Sequence, residues 1–137
     1  MRAEGILDTN TVILLSRLTD PAALPRTPSI TTVTLAELSV GPLVAQTDEE
    51  RAARQAHLQQ AESDFEPLPF DAPAARAFGQ VAAELRRAGR TSRARAYDAL
   101  IAAIAVSRQL PVFTTNPGDF SGIRELDVVA VPHPDMT

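Results

Sequence analysis

The sequence predicts one α/β domain with a mainly parallel sheet, and three features support this fold class. Short apolar runs alternate along the chain with longer segments whose apolar residues recur at helical spacing. Proline- and glycine-containing junctions separate these segments. The chain has 137 residues, of which 45% are hydrophobic, so it is large enough to bury a core. We therefore expect a single domain over residues 1–137 with about five short strands flanked by helices.

Five segments carry the features of strands. The first is a buried apolar run that ends immediately before Asp8. The third contains two prolines, so we expect it only at a sheet edge or as an extended connection. The predicted strands cover residues 5–7, 29–31, 65–70, 110–114 and 128–131.

Five other segments have the apolar spacing of helices. Thr9 or Asn10 is expected to cap the first helix and Thr32 the second, since threonine and asparagine accept hydrogen bonds from free amides there. The last helix is almost wholly apolar, so we expect it to be buried on several sides. The predicted helices cover residues 11–18, 33–40, 48–63, 73–88 and 96–109.

Composition excludes several classes of site. The chain has no cysteine, so neither disulfides nor thiolate-bound zinc are available. Its net charge of −4 argues against nucleic-acid binding driven by overall charge. No apolar stretch reaches the roughly 20 residues that span a bilayer. We expect a cytoplasmic protein without a membrane partner.

Acidic residues recur inside apolar sequence, and this pattern indicates a functional site. Asp8 follows the first predicted strand, Glu37 lies in the second helix and Asp98 opens the last one, while Asn116 and Asp119 follow the fourth strand. Each has an ordinary explanation as a cap, a first-turn acid, a surface residue or a turn former. Together they are expected to converge, because ligands collect beyond the carboxyl ends of parallel strands.

Converging carboxylates repel one another in a medium of low dielectric, and a hard cation relieves that repulsion. Oxygen ligands favour Mg²⁺ or Mn²⁺ over zinc. A cation of this kind suits phosphodiester hydrolysis, because it can activate water, polarise a phosphoryl oxygen and stabilise the leaving oxygen. The sequence therefore predicts a magnesium-dependent hydrolytic site.

Four motifs in this order resemble those of the PIN-domain nucleases, especially the VapC-type toxins of bacterial toxin–antitoxin pairs. The similarity runs from the first predicted strand to the last. The motifs are Leu7-Asp8-Thr9-Asn10, Thr34-Leu35-Ala36-Glu37-Leu38, Arg95-Ala96-Tyr97-Asp98-Ala99-Leu100-Ile101-Ala102-Ala103 and Thr114-Thr115-Asn116-Pro117-Gly118-Asp119-Phe120.

The resemblance implies a three-layer PIN fold and a Mg²⁺-dependent endoribonuclease that is inhibited by a cognate antitoxin and forms a homodimer. It carries Asp8, Glu37 and Asp98 over as the catalytic and metal-binding acids. Asp8 and Asp98 are expected to contact the metal directly, and Glu37 either to bind it directly or through water or to position the attacking water. Family members often have an acid at the position of Asn116, so either the Asn116 carbonyl or the nearby Asp119 carboxylate is expected to complete the site.

Other polar residues are given supporting roles. Thr9 and Thr115 are expected to hold carboxylates or bound water. Arg93 and Arg95 approach Asp98 in sequence, so we expect them to contact RNA phosphates or acidic groups of the antitoxin. The remaining arginines of this cluster are expected to be solvated at a helix end, and they are Arg86, Arg87 and Arg90.

Two alternative functions remain at this stage. An aspartate-based phosphatase or phospho-receiver domain also places an aspartate after its first strand, but such sites usually use a lysine and this chain has none. Asn10 also stands where the phosphatase motif has a second aspartate. The other alternative is a PIN-like module that binds RNA or protein without cleaving, which the neutral Asn116 would allow.

Overall fold

The computed structural model describes residues 3–90 and 94–136, and the elements in these ranges confirm the α/β class. The strands are β1 (Glu4–Leu7), β2 (Thr27–Ser29), β3 (Val112–Thr114) and β4 (Val128–Ala130). The helices are α1 (Thr9–Ile13), α2 (Thr32–Val40), α3 (Asp48–Asp64), α4 (Ala72–Arg87) and α5 (Ala94–Arg108).

The strands form one parallel sheet in the order β2-β1-β3-β4. In β1, Ile6 pairs with Ser29 on one side and with Val112 on the other. The chain thus leaves β1 toward β2 on one side and reaches β3 on the opposite side. This reversal opens a crevice beyond the carboxyl ends of β1 and β3, where α/β sheets bind ligands.

The structure corrects the predicted number of strands, because residues 65–70 do not form one. Leu68 makes an isolated parallel bridge with Thr31, and its amide donates to the carbonyl of Ile30 at 2.9 Å. Pro67 and Pro69 flank it and have no amide hydrogen, so pairing cannot extend in either direction. The segment is therefore an extended connection beside the sheet, which was the other expectation for it.

Two helix starts also differ from the predictions. Asp8 itself caps α1, in place of Thr9 or Asn10, because its carboxylate accepts a hydrogen bond from the Thr11 amide. A 3₁₀ turn continues the chain after this short helix. Thr31 rather than Thr32 caps α2, since its hydroxyl accepts from the backbone amide of Thr34. Asp8 is therefore the single residue between the end of β1 at Leu7 and the start of α1 at Thr9.

Apolar residues form two clusters on opposite faces of the sheet, as a three-layer architecture requires. Because side chains of a strand alternate between faces, Ile6 belongs to one cluster and Leu7 to the other. The first cluster includes residues of α4 and α5, and the second includes Val12 of α1 and Ala61 of α3. Two separate hydrophobic layers thus hold the central strands in register.

Helix α5 is buried over most of its length, as its composition predicts. Residues 101–105 are fully buried, and Ala99 is 5% exposed. Their mostly small side chains allow the helix to approach the sheet and α4 closely. In the part of the chain that the structure describes, no helix combines the length and apolarity needed to cross a membrane.

The close packing of β1 on β3 makes a stability prediction. A methyl group at Gly5 would overlap the buried ring of Phe113, so Gly5→Ala should lower the free energy of unfolding by about 1–3 kcal/mol. Gly79 lies within α4 with open space around it. The matched change Gly79→Ala should therefore stabilise the protein by roughly 0.5–1 kcal/mol. Urea unfolding of both variants measures this, and equal effects would contradict the packing described.

Candidate active site

Asp8 lies at the carboxyl end of β1, between that strand and the start of α1. Its side chain is almost wholly buried, with 2% of the residue exposed. Oδ1 accepts from the amide and hydroxyl of Thr11, and Oδ2 accepts from the hydroxyl of Thr114 at 2.7 Å. Burial raises the pKa of Asp8, while these hydrogen bonds oppose the rise and the charge of Asp119 adds to it.

The two threonine hydroxyls have a fixed direction of donation. The amide of Thr115 donates to the Thr11 hydroxyl at 3.2 Å, and the amide of Asn116 donates to the Thr114 hydroxyl at 2.9 Å. Since amides can only donate, each hydroxyl accepts from one and directs its own proton to Asp8. Asp8 is thus held at both oxygens in one orientation.

Glu37 reaches the crevice from α2 and is also held by threonine. Thr9 donates to Glu37 Oε1 at 2.6 Å, and the hydroxyls of Thr9 and Thr34 are 2.9 Å apart. Burial raises the pKa of Glu37, the bond from Thr9 opposes this, and the charge of Asp8 raises the pKa further. Glu37 and Asp8 are therefore close enough to interact electrostatically.

Asp98 completes the set from the first turns of α5. Its pKa is raised to about 7. Burial is the largest cause, followed by the charges of Asp119, Asp8 and Glu37, and the positive charge of Arg95 opposes them. Its carboxylate thus responds to acids from three other segments. We call Asp8, Glu37, Asp98 and Asp119 the carboxylate cluster.

The structure distinguishes the two candidates for the fourth position. Asp119 lies in a 3₁₀ turn, Pro117–Phe120, and its charge raises the pKa of both Asp8 and Asp98. Asn116 is exposed, and its backbone amide donates to the hydroxyl of Thr114. The geometry therefore favours Asp119 as the fourth acid.

The supporting residues only partly match their predicted roles. Thr9 contacts a carboxylate as expected, whereas Thr115 acts through its backbone amide. Thr11 and Thr114, which hold Asp8, were not among the residues predicted from the sequence. One local signal for Thr11 existed, because a residue three positions after a capping aspartate is placed to bond with it. Thr114 had no such signal, since its partner is 106 residues away.

Of the two arginines predicted to contact RNA or antitoxin, Arg95 lies at the site, and Arg93 lies outside the described residues. Arg95 forms an ion pair with Asp119, and the two side chains are 28% and 17% exposed. The guanidinium of Arg95 is therefore directed into the site instead of into solvent.

The donor set fits a hard divalent cation. Negative charges of the cluster contribute to the raised pKa values of Asp8, Glu37 and Asp98, so a cation among these carboxylates would lower their repulsion. Oxygen donors suit Mg²⁺ or Mn²⁺. In residues 3–90 and 94–136, however, no three acidic or histidine side chains form a ready-made cage. The cluster therefore matches a cation in charge and chemistry, and its carboxylates would move closer together to coordinate one ion.

Comparison with known proteins identifies the family. Residues 6–126 match the family model of the PIN domain. The chain is 43% identical over 123 residues to ribonuclease VapC5 of Mycobacterium tuberculosis, which covers 88% of each protein.

Solved structures show the same similarity. A crystal structure of VapBC-5, a member of the VapBC family of toxin–antitoxin systems from Mycobacterium tuberculosis, matches with a TM-score of 0.80 and 40% identity, covering 94% of this chain and 99% of that one. DNA-bound VapBC from Salmonella typhimurium matches with a TM-score of 0.74 and 30% identity, covering 93% and 97%. The chain therefore belongs to the PIN domain family, as a homologue of the VapC ribonucleases.

Proposed function

We propose that this protein is a metal-dependent endoribonuclease that acts as the toxin of a toxin–antitoxin pair. The carboxylate cluster carries the proposal, because four acids from four segments converge where the parallel sheet opens a crevice. The similarity to a relative named as a ribonuclease supports RNA as the substrate. Among PIN-domain ribonucleases divalent-metal dependence is general, and for this chain we propose Mg²⁺, with Mn²⁺ as a substitute.

Asp8, Glu37 and Asp98 are the proposed metal-binding residues, and Asp119 is proposed to complete the metal site as its fourth carboxylate. When bound, the cation would supply charge stabilisation at the phosphoryl group and lower the pKa of water. Thr11 and Thr114 donate hydrogen bonds to the two carboxylate oxygens of Asp8. These bonds fix the orientation in which the carboxylate would bind the cation.

Glu37 is the residue best placed to take a proton from an attacking water. Its Oε1 accepts the hydroxyl proton of Thr9, which orients the carboxylate while lone pairs on both oxygens can still accept from a water. Burial and the charge of Asp8 raise the pKa of Glu37, which makes its carboxylate a stronger base than an exposed glutamate. Glu37 is therefore proposed as the water-positioning base.

The proposed partners are an antitoxin and a second copy of the chain. Several structural neighbours are toxin–antitoxin complexes, which supports the antitoxin. Val40, Leu43 and Val44 are 51%, 84% and 61% exposed, and this apolar surface supports a protein interface. Light scattering on the isolated protein should give twice the 14.7 kDa mass of one chain. A monomer that still cleaves RNA would reject the dimer.

Removing a cluster charge should abolish cleavage. Asp8→Asn, Glu37→Gln and Asp98→Asn each delete one proposed ligand or base, so each should lower the rate of Mg²⁺-dependent RNA cleavage by at least about 100-fold. Asp64→Asn is the matched control, because Asp64 is an exposed acid at the end of α3. Cleavage is measured on purified RNA with Mg²⁺ and with EDTA.

Three results would contradict this function. Full activity of the Asp8 and Asp98 variants would reject the assigned site, and cleavage that persists in EDTA would reject the metal. Binding of RNA without any cleavage by the wild type would favour a non-catalytic module. Sequencing of RNA ends after expression of wild type and Asp8→Asn would then identify the cut sites, which should be present only with the wild type.

The raised pKa of Asp98 predicts a pH dependence of stability. Between about pH 4 and about pH 7 the folded protein retains a proton on Asp98 that the unfolded chain releases. Since the folded state binds more protons there, the stability of the metal-free protein should fall as pH rises through this window. Saturating Mg²⁺ binds the ionised form, so the stabilisation that it produces should grow over the same interval.

Thermal melts of the wild type and Asp98→Asn from pH 5 to pH 8 measure this effect. The difference between the two proteins isolates Asp98, because other titrating groups are common to both. In the absence of metal the wild type should lose stability relative to the variant as pH rises. If the wild type gains stability relative to Asp98→Asn as pH rises, the predicted direction of the pH dependence is wrong.

A further inference from the structure

Arg95 places a positive charge directly against the carboxylate cluster. Its Nη1 donates to Oδ1 of Asp119, and both side chains are mostly buried. Solvent screens such a pair less than a pair on the surface, so its electrostatic interaction is correspondingly stronger. The negative charge of Asp119 is therefore partly offset by a cation that belongs to the protein.

The same guanidinium also acts on a second acid of the cluster. Arg95 precedes Asp98 by three residues on α5, which places the two side chains on neighbouring positions of the helix surface. Its charge lowers the pKa of Asp98, in opposition to Asp119, Asp8 and Glu37. Arg95 thus offsets part of the repulsion that a divalent ion would otherwise relieve.

A second arginine restrains the turn that carries Asp119. Arg90 lies beyond the end of α4, and its Nη2 donates to the carbonyl of Gly118 at 2.6 Å. The turn Pro117–Phe120 is therefore held at a backbone carbonyl by Arg90 and at a carboxylate by Arg95. The ion pair itself keeps Asp119 with Arg95. This agrees with the lack of a closed three-acid cage in the described part of the chain.

We propose that Arg95 is a built-in counter-cation that competes with the divalent metal for Asp119 and so weakens metal binding. This inference rests on the proposed metal site and adds a residue that regulates its metal affinity. Arg95 acts as a positioning residue, since it works through Asp119. Loss of the guanidinium leaves Asp119 and Asp98 without their counter-charge. The site should then bind a divalent metal ion more tightly.

Two other roles for Arg95 lead to different results. If Arg95 only placed Asp119 correctly for metal binding, its removal would weaken metal affinity. If it served only as a contact for RNA phosphates, its removal would leave metal affinity in RNA-free protein unchanged. Tighter metal binding after removal of the guanidinium therefore indicates competition and distinguishes it from these two other roles.

Calorimetric titration of Mn²⁺ into RNA-free protein tests the proposal. Arg95→Gln should bind Mn²⁺ at least about fivefold more tightly than the wild type, as expected for coupling between two cations at one site. Arg95→Lys keeps the charge and should return the affinity toward that of the wild type. Arg90→Gln is the matched control, because Arg90 contacts the same turn at the carbonyl of Gly118 and contacts no carboxylate of the cluster, so this variant should bind Mn²⁺ as the wild type does.

A double-variant cycle separates competition at Asp119 from a general effect of Arg95→Gln on the fold. In an Asp119→Asn background the carboxylate for which the two cations compete is absent, so Arg95→Gln should give a smaller gain in Mn²⁺ affinity than in the wild type. An equal gain in both backgrounds would overturn the competition for Asp119. Unchanged or weaker binding by Arg95→Gln would overturn it as well.

Asp8→Asn separates this proposal from the proposed function. If Asp8→Asn loses Mn²⁺ binding while Arg95→Gln binds as the wild type does, the metal site stands and only the competition is rejected. If the wild type binds no Mn²⁺, both the metal site and the competition are rejected.

Discussion

The site depends on one buried carboxylate that is held from two directions. Asp8 follows β1, caps α1 and accepts hydrogen bonds from Thr11 in its own helix and from Thr114 at the end of β3. A buried charge without partners costs several kcal/mol. The hydrogen bonds of Asp8 lower this cost, and they also tie the end of the first strand to a strand more than 100 residues later.

Threonine hydroxyls, rather than basic residues, support two of the four acids of the cluster. A hydroxyl donates a hydrogen bond to a carboxylate without neutralising it, so Asp8 and Glu37 are oriented while their negative charge remains available. Asp119 differs because an arginine holds it. The cluster therefore contains two kinds of support, one that preserves charge and one that offsets it. This difference explains why Asp119 is the acid at which an internal cation and a metal ion would compete.

The sequence predicted those parts of the fold and site that depend on local pattern. Asp8, Glu37 and Asp98 could be selected because each is an acid in an apolar segment of recognisable type. For residues 65–70 the two prolines left an edge strand or an extended connection as alternatives, and the structure shows the extended connection with a single bridge at Leu68. The hydrogen bond from Thr114 to Asp8 and the pairing of Arg95 with Asp119 could not be predicted, because both contacts depend on how distant segments meet in the folded chain.

The choice between Asn116 and Asp119 illustrates the same limit. Asn116 lies at the N-cap position of the 3₁₀ turn that contains Asp119, and both residue types are common in turns, so turn propensity does not choose between them. Only the three-dimensional path of the 3₁₀ turn places the charge of Asp119 near Asp8 and Asp98 and leaves Asn116 exposed. The assignment thus comes from the tertiary structure, in which Arg90 and Arg95 hold the turn.

The most direct test of a shared metal site is an anomalous difference map from crystals of the protein soaked in Mn²⁺. We predict a manganese peak in the crevice beyond β1 and β3, in contact with a carboxylate oxygen of Asp8 and of Asp98. A peak bound elsewhere, with the crevice free of manganese at saturating concentration, would contradict the shared site.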